Sequence, residues 1–343
     1  MKNKSIIFIP YDESEHYLSS MINAYRANNF YVLPLSIHNL FKVDYIMLNW
    51  FENFSYKNKF ALIIQFIKKI LILLIFILLN KRIIWTLHNK KPHRSEINKV
   101  SINILSKLIM KILFLITNKI IIHSETTILK YNLSKFIYVP HPNLINFYGN
   151  PEIKNTLTNE KMKLLFLGTI LPYKNLDILI KAINDLNYQN LELQIAGKIS
   201  DNYLNYINNL IGNNNTIKTN FNYIPNDDIP KLIANCHLLI VPFDLESCYN
   251  ASTTILSFSY KRSVICTEIG TVLNIKNTSL YFGYTYQERI QHKQKLKECI
   301  SHVYNNYSGN YNILLQYGEQ CYNFIKDNNN IEKTIQSLRN IFR

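Results

Sequence analysis

The segment Lys163-Leu-Leu-Phe-Leu-Gly-Thr-Ile-Leu-Pro-Tyr-Lys-Asn175 joins an apolar run to a helical pattern through a single glycine. The apolar residues predict a buried strand, and the residues after Asn175 repeat with the period of a helix. Gly168 would let a ligand approach the backbone, and Lys174 would add positive charge at the helix start. The segment therefore predicts a strand, loop and helix of a parallel α/β sheet with a phosphate site at the loop. Taken alone, Lys174 has the simpler interpretation of a solvated lysine.

The same alternation of strand and helix patterns extends outward on both sides of this segment. Before it, strands are predicted over residues 5–10, 30–35, 44–49, 82–87, 119–123 and 136–139, with helices over 14–27, 58–80, 95–117 and 126–133. From it onward, strands are predicted over 163–168, 191–197, 216–220, 238–242 and 263–267. The helices of this half are predicted over 176–186, 201–210, 227–234, 252–260 and 289–307, followed by 311–327 and 331–342.

A polar stretch with three prolines, residues 140–161, interrupts this alternation and predicts a linker. A length of 343 residues also favours two domains over one core. We therefore expect a first domain over residues 1–150, a second over 151–310, and helices over 311–343 that cross back onto the first. The content of 48% hydrophobic and 18% charged residues excludes a disordered chain.

Charge is divided unequally between the halves. Residues 1–150 contain 19 Lys and Arg against 7 Asp and Glu, whereas residues 151–343 contain 19 against 16. The first half therefore predicts an anionic partner, either a nucleic acid or a membrane surface. The five cysteines include no Cys-x-x-Cys pair, so a reducing cytosol is favoured over a disulfide framework or a zinc site.

Residues 70–79 are ten consecutive apolar residues, with Lys68 and Lys69 before them and Lys81 and Arg82 shortly after. A membrane-spanning helix needs about 20 apolar residues, so the run predicts no span. One interpretation is a buried helix of the first domain. The other is a helix that lies in the headgroup region with its lysines on anionic lipid, which the charge of the first half favours.

A second polar cluster follows the predicted strand over 238–242. Asp244 and Glu246 are carboxylates that could accept hydrogen bonds from sugar hydroxyls. Around the next helix start lie further polar side chains: Asn250, Ser252, Thr253 and Thr254. Capping of that helix by Ser252 or Thr253 would explain one of these residues but not all of them. Together with the first segment, the cluster predicts a diphosphate-sugar site at the carboxyl ends of parallel strands.

Several blocks of this sequence resemble, in order, those of family-4 glycosyltransferases with the GT-B fold. On the donor side they are Phe166-Leu-Gly-Thr-Ile-Leu-Pro-Tyr-Lys174, Leu193-Gln-Ile-Ala-Gly197, Val241-Pro242 and Asn250-Ala-Ser252. On the acceptor side they are Trp85-Thr-Leu-His-Asn89, Pro92-His93, His123-Ser-Glu125 and Pro140-His-Pro-Asn143. The resemblance spans about residues 80 to 270. It implies an α/β protein with two Rossmann-like domains facing across a cleft.

The resemblance also implies roles for individual residues. Lys174 would neutralise the donor diphosphate, His88 would face the donor sugar, and Glu246 or Asp244 would hold sugar hydroxyls as the first glutamate of an E-x7-E motif. The implied donor-binding residues also include Gly168, Thr169, Asn250, Ser252, Thr253 and Thr254. Asn89 and His93 would lie on the acceptor side.

The sequence departs from the family pattern at three places. Leu256 replaces the second glutamate, Thr169 replaces the arginine that commonly follows the glycine, and the glycine-rich loop after the first strand is absent. A subgroup with an Asn-Ser-Gly-like turn in place of the full motif resembles this chain better. Among the remaining histidines, loop capping explains His123 and His141 as well as a functional role does. The other five have the simplest interpretation of structural or exposed residues: His16, His38, His237, His292 and His302.

The implied activity is that of a hexosyltransferase, which moves a sugar from a nucleoside-diphosphate sugar to a lipid-linked or polysaccharide acceptor. The resemblance implies retention of configuration, and the expected acceptor is of the capsule, O-antigen or exopolysaccharide type. The cysteine pattern and the charge of the first half predict a cytoplasmic enzyme bound peripherally to the inner face of the membrane. No cofactor and no metal are expected, and the chain has no Asp-x-Asp motif. No recognisable nucleic-acid motif is present, so the expected partners are donor, acceptor and an anionic membrane surface. The alternatives are an inverting GT-B transferase and a degenerate GT-B scaffold that only binds.

Overall fold

The computed structural model describes residues 4–54, 59–90, 100–126, 134–149, 157–275, 277–339 and 341. They form two compact α/β units. Unit 1 comprises Met1–Pro142, Glu246–Asn250 and Asn329–Arg343, and unit 2 comprises Asn143–Leu245 and Ala251–Asn328. The chain therefore changes unit inside the predicted linker. Residues after Asn143 already pack with unit 2, where the Leu144 amide donates to Ser259 Oγ at 2.9 Å.

Unit 1 is built on a parallel sheet of six strands in the order β2-β1-β3-β4-β5-β6. The strands are β1 Lys4–Ile9, β2 Phe30–Pro34, β3 Tyr45–Asn49, β4 Arg82–Thr86, β5 Lys119–Ile122 and β6 Phe136–Tyr138. The helices of this unit are α1 His16–Ala27, α2 Ile37–Lys42, α3 Lys59–Leu78, α4 Val100–Ile116 and, at the C-terminus, α12 Ile331–Arg339. The short helix α2 was not predicted. Residues 127–133 of the helix predicted over 126–133 lie outside the described residues.

Helices cover both faces of this sheet. All five residues of β3 are buried, as expected for a central parallel strand. On one face α3 and α4 pack around Trp85, and on the other α1 and α12 pack around Tyr25. The C-terminal helix is fastened to α1, since the Asn28 side-chain amide donates to the Ile335 carbonyl at 3.0 Å. Residues 329–343 thus return to unit 1.

Helix α3 agrees only in part with the interpretation of residues 70–79 as a buried helix. It runs for 20 residues, and by length and composition alone it is apolar enough to cross a membrane. The length argument against a span was therefore wrong. The buried-core interpretation holds only for its inward side, where Leu62, Leu73 and Phe76 are buried. Phe66, Ile70 and Ile72 are partly buried against the same core, and the opposite side of the helix faces outward.

A buried carboxylic acid lies under α3 and makes the stability of unit 1 depend on pH. Trp85 Nε1 donates to Glu52 Oε2 at 3.2 Å, and burial raises the pKa of Glu52 from 4.5 to about 7. Between these two values the folded chain keeps a proton that the unfolded chain releases. The free energy of unfolding therefore falls as pH rises through this range.

We expect Glu52→Gln to relieve this penalty, because glutamine stays neutral and can still accept from Trp85. Relative to wild type, the variant should gain roughly 2 to 3 kcal/mol of unfolding free energy between about pH 4 and pH 7.5. Urea unfolding of both proteins across this range measures the gain. An equal pH dependence in the two proteins would contradict the assignment to Glu52.

Unit 2 is built on a second parallel sheet of six strands in the order β12-β11-β10-β7-β8-β9. The strands are β7 Met162–Leu167, β8 Leu191–Ala196, β9 Ile217–Asn220, β10 Leu238–Val241, β11 Ser263–Thr267 and β12 Phe282–Tyr284. The helices are α5 Leu176–Leu186, α6 Asp201–Ile211, α7 Ile229–Ala234, α8 Ser252–Ser259, α9 Gly270–Leu273, α10 His292–Asn306 and α11 Ile313–Asn328. Only β12 and the single turn α9 were not predicted. Of the two predicted C-terminal helices, α11 belongs to unit 2 and α12 to unit 1.

Candidate functional site

The sheet of unit 2 has a topological switch point between β7 and β10. The chain enters at β7, places β8 and β9 on one side, and then places β10, β11 and β12 on the other. In open parallel sheets the loops at the carboxyl ends of strands diverge at such a point and leave room for a ligand. Gly168 and Thr169 follow β7 directly, and Asp244 lies three residues after the end of β10. The sheet order thus brings the two predicted donor segments to one edge.

Two glycines shape this edge. Gly168 follows β7 with φ +108°, and Gly197 follows β8 with φ +149°. A Cβ on Gly197 would lie 2.2 Å from the Gly168 carbonyl oxygen, so the two strand ends are in direct backbone contact. A Cβ on Gly168 would lie 3.3 Å from Lys174 Nζ. The lysine amine therefore lies directly over the turn that leaves β7.

The structure buries Lys174, so the interpretation as a solvated helix-start lysine is wrong. Lys174 is the last residue of a 3-10 turn just before α5, and it is only 8% exposed. Nζ lies 5.3 Å from the centroid of the Phe243 ring, which offers the negative face of its π-system. An ammonium group is costly to bury and attracts anions strongly where water is excluded. Its position suits a phosphate group.

The loops after β7 and β10 are tied to each other. Asn175 takes a left-handed conformation before α5, and its buried side-chain amide donates to the Pro242 carbonyl at 2.9 Å. The Asp244 amide donates to the Tyr173 carbonyl at 3.1 Å. Helix α5 is anchored in turn by Leu176, Leu179 and Ile183, which recur on its buried face. These contacts fix Lys174 relative to the loop that contains Asp244.

Helix α8 offers amide groups at its start that no side chain caps. Its N-cap is Ala251, so the interpretation as capping by Ser252 or Thr253 is wrong. The Ala251 amide donates to Thr271 Oγ1 at 2.8 Å, while Ser252 is exposed. Thr254 is buried, and its hydroxyl has no hydrogen-bond partner among the described residues. A helix start of this kind favours an anionic ligand.

Asp244 is held by Tyr286, which in turn packs against His292. The Tyr286 hydroxyl donates to Asp244 Oδ1 at 3.3 Å and accepts from the Leu245 amide at 3.1 Å. Burial raises the pKa of Tyr286 to about 12, so its hydroxyl stays protonated and can donate. The ring of Tyr286 stacks on His292 with centroids 4.4 Å apart. Burial lowers the pKa of His292 to about 4, in agreement with a structural role. No sequence signal marked Tyr286.

The predicted residues Glu246 and Asn250 belong to unit 1, whereas Asp244 belongs to unit 2. Their segment pairs with the chain after β4: Asn89 forms a β-bridge with Cys248, and the Lys90 amide donates to the Ser247 carbonyl at 3.1 Å. Both side-chain polar atoms of Asn250 are buried without a hydrogen-bond partner among the described residues. Counted from Glu246, the seven-residue spacing of the E-x7-E motif ends at Thr254, so Thr254 rather than Leu256 takes the second position.

In unit 1, aromatic rings hold His88 at the carboxyl edge of the sheet. The His88 ring stacks on Trp50 with centroids 4.5 Å apart and an interplanar angle of 16°, and Tyr17 meets it edge-on. Trp50 follows β3 with φ +50°, a rare conformation for a bulky residue that tends to occur at functional sites. Sequence reasoning missed both aromatic partners. The arrangement fixes the plane of the imidazole.

The other predicted residues of unit 1 have structural contacts or lie outside the description. His123 Nδ1 donates to the Val139 carbonyl at 2.7 Å, and Nε2 lies 3.0 Å from the Tyr17 hydroxyl. Burial lowers the pKa of His123 to about 3, so the ring is neutral and its Nε2 can accept from Tyr17. His141 Nδ1 donates to the Pro142 carbonyl at 2.9 Å, so both histidines bond to backbone carbonyls, as the loop-capping interpretation expects. Asn89 is buried, and His93 lies outside the described residues.

The chain has recognisable relatives in sequence and structure. Residues 150–248 match the family described as glycosyl transferases group 1. Among proteins with curated descriptions, none matches the sequence. The fold is similar to that of Anabaena HepE (Alr3699) in complex with UDP and glucose, with a TM-score of 0.66, 12% identity and 99% of each chain covered.

Two further solved structures share the fold over nearly the whole chain. Sucrose-phosphate synthase from Thermosynechococcus elongatus gives a TM-score of 0.72 at 10% identity, covering 100% of this chain and 98% of that one. A glycosyltransferase from Rickettsia africae gives 0.61 at 16% identity, with 100% and 98% covered. The chain therefore has the GT-B fold, and the family match over residues 150–248 supports a glycosyltransferase.

Proposed function

We propose that this chain transfers a sugar from a nucleoside-diphosphate sugar to an acceptor hydroxyl, and that unit 2 binds the donor. The observation that carries the proposal is the buried amine of Lys174 over the Gly168 turn, at the switch point of the sheet. The UDP and glucose bound by HepE, a protein of the same fold, support this choice of donor class.

The chemistry follows from where charge develops. As the bond between the sugar and the diphosphate breaks, negative charge accumulates on the leaving phosphate. Lys174 and the uncapped first turn of α8 are suited to stabilise that charge. Asp244, held by Tyr286, would accept hydrogen bonds from donor hydroxyls. For His88 we propose an acceptor-side role, in which its fixed ring orders a sugar hydroxyl.

The finer assignments rest on the resemblance to family-4 enzymes with an Asn-Ser-Gly-like turn. The first assignment is retention of configuration, in which the departing phosphate assists deprotonation of the acceptor. The second is a lipid-linked or polysaccharide acceptor of the capsule, O-antigen or exopolysaccharide type. Such an acceptor is made at the cytoplasmic face of a membrane. The basic and apolar character of unit 1 supports a peripheral location there.

A thermal-shift panel of UDP-, GDP-, TDP- and ADP-sugars tests the proposal, because a ligand that binds only the folded chain raises its melting temperature. We expect one base to stabilise wild type and the effect to be lost in Lys174→Met. If no nucleotide sugar stabilises the protein, the proposed function is wrong. Stabilisation without turnover on any lipid-linked or polysaccharide acceptor would favour the scaffold alternative, which the absence of the second glutamate and of the arginine supports.

We expect transfer to survive EDTA, since protein cations and helix amides are proposed to neutralise the leaving group. Among the described residues, no cluster of His, Cys, Asp or Glu side chains is arranged to hold a metal ion. Initial rates measured with EDTA, and again after addition of Mg²⁺ or Mn²⁺, test this expectation. Loss of transfer on chelation and recovery with either ion would contradict it.

A further inference from the structure

The outward faces of α3 and α4 form one apolar surface on unit 1, which we call the α3–α4 face. On α3 it contains Phe60, Ile63, Ile64, Ile67, Leu71, Leu74, Ile75 and Leu78, all exposed and recurring with the helical period on one side of the helix. On α4 it contains Ile104, Leu108 and Leu115. Among the described residues, more than half of the large exposed hydrophobic side chains lie on these two helices. Soluble monomers rarely leave so large an apolar patch in water.

The charges around this face have one sign. Lys107 and Lys111 lie within the exposed stripe of α4, and Lys59 and Lys68 flank the stripe of α3, all four exposed. Neither helix contains an acidic residue. Between Glu52 and Glu125 the sequence has 13 Lys and Arg and a single acidic residue, Glu96. Lysines within or beside an exposed apolar stripe can extend their amines to lipid headgroups, as in helices that lie at a membrane surface.

Not every basic residue near this face belongs to it. Lys69 Nζ donates to the Phe51 and Asn53 carbonyls and lies over the Phe54 ring, so it points into the fold. Lys81 Nζ donates to the Val43 carbonyl at 2.7 Å. Of the four basic residues that the sequence placed on lipid, Lys69 and Lys81 are thus structural.

The connections of α3 favour docking over spanning. The helix joins β3 to β4, which are neighbouring parallel strands paired from Tyr45–Arg82 to Asn49–Thr86. Its inward residues Leu62, Leu73 and Phe76 pack in the core of unit 1. To cross a bilayer, α3 would have to leave this core and separate the two strands. A second copy of the chain is also disfavoured as the occupant, because two such faces would bring exposed lysines together with no acidic residue on α3 or α4 to pair with them.

We infer that the α3–α4 face docks unit 1 onto an anionic lipid bilayer, with the apolar stripe in the headgroup region and the four lysines on lipid phosphates. The inference stands on the geometry of unit 1. Only its use, which is to bring the enzyme to a lipid-linked acceptor, rests on the proposed function.

Sedimentation with vesicles tests the inference without any measurement of transfer. Wild type should bind phosphatidylglycerol vesicles more tightly than phosphatidylcholine vesicles, and about 1 M salt should remove the difference because charges are then screened within about 3 Å. Replacing the four lysines with glutamine should lower partition onto the anionic vesicles by roughly a hundredfold or more, at about 1 kcal/mol for each charge near the surface. That variant contains Lys59→Gln, Lys68→Gln, Lys107→Gln and Lys111→Gln.

Two further variants separate the contributions. Replacing exposed apolar residues of the face should weaken binding to both kinds of vesicle: Phe60→Gln, Ile67→Gln, Leu71→Gln and Leu115→Gln. A matched control removes four exposed lysines of unit 2 and should bind as wild type does: Lys161→Gln, Lys218→Gln, Lys231→Gln and Lys295→Gln.

Three outcomes would overturn the inference. They are wild type that ignores anionic vesicles at low salt, a control variant that loses as much binding as the α3–α4 variant, and protein that resists an alkaline carbonate wash as a spanning helix would. Normal vesicle binding by a chain that no nucleotide sugar stabilises would leave the docking face intact and refute the proposed function alone.

Discussion

Lys174→Met should lower kcat by on the order of a hundredfold or more, which corresponds to the loss of one preorganised charge from a developing oxyanion. Methionine is close to lysine in length and shape and can keep the packing over Phe243 and Gly168. The melting temperature should stay close to that of wild type, because methionine keeps the apolar packing of the buried side chain. Fixed-time transfer assays and thermal unfolding measure the two effects separately.

The matched control for this variant is Lys181→Met. Lys181 lies on the same helix, α5, but its side chain is about half-exposed: Nζ donates to the Tyr206 hydroxyl at 3.2 Å and lies 3.9 Å from the Asp177 carboxylate. We expect little change in either turnover or stability, since exposed ion pairs contribute about 0–1 kcal/mol. If Lys174→Met retained near-normal turnover, or if both variants lost it equally, Lys174 would not be the phosphate ligand.

The fold was largely predictable because its signals are local. Each parallel strand is a short apolar run between polar turns, and these runs identified eleven of the twelve strands in the described part of the chain. Each long helix was recognisable from its apolar face. The strand β12, Phe282–Tyr284, was missed because three residues with one glycine give no pattern. Helix α3 was predicted close to its observed bounds, but periodicity cannot show which apolar residues find a partner. The exposure of Leu71 and Leu78 depends on how few elements cover this side of the sheet.

The candidate site was predictable as a set of loops and less so as a set of contacts. Gly168 and Lys174 stood out because their spacing follows a strand and precedes a helix. The burial of Lys174, however, depends on Phe243, which is distant in sequence and comes close only through the pairing of β7 with β10. The contact of Tyr286 with Asp244 and the stacking of Trp50 on His88 are equally non-local. A similar limit applies to Glu246, whose segment pairs with residues near Asn89 in unit 1.

Gly197→Ala should destabilise unit 2 by about 3 kcal/mol or more and abolish donor binding at the same time. The new Cβ would lie 2.2 Å from the Gly168 carbonyl oxygen, and that atom is backbone at the end of the central strand β7. Relief requires the turn after β7 to move, and Lys174 Nζ lies over that turn. Urea unfolding and titration with the donor found in the thermal-shift panel give the two readouts.

The control variant Gly309→Ala separates the cost of backbone strain from the cost of steric overlap with the added Cβ. Gly309 also has a positive φ, +76°, but an added Cβ there would meet nothing within 4 Å. The variant should therefore lower the free energy of unfolding only by the cost of the left-handed conformation, about 1 kcal/mol, and leave donor affinity unchanged. Were Gly197→Ala no more harmful than Gly309→Ala, the close contact between the ends of β7 and β8 would not support the lysine, and the donor would have to bind elsewhere on the chain. Conversely, an affinity loss that exceeds the stability loss would show that the two glycines are required for the shape of the phosphate site as well as for packing.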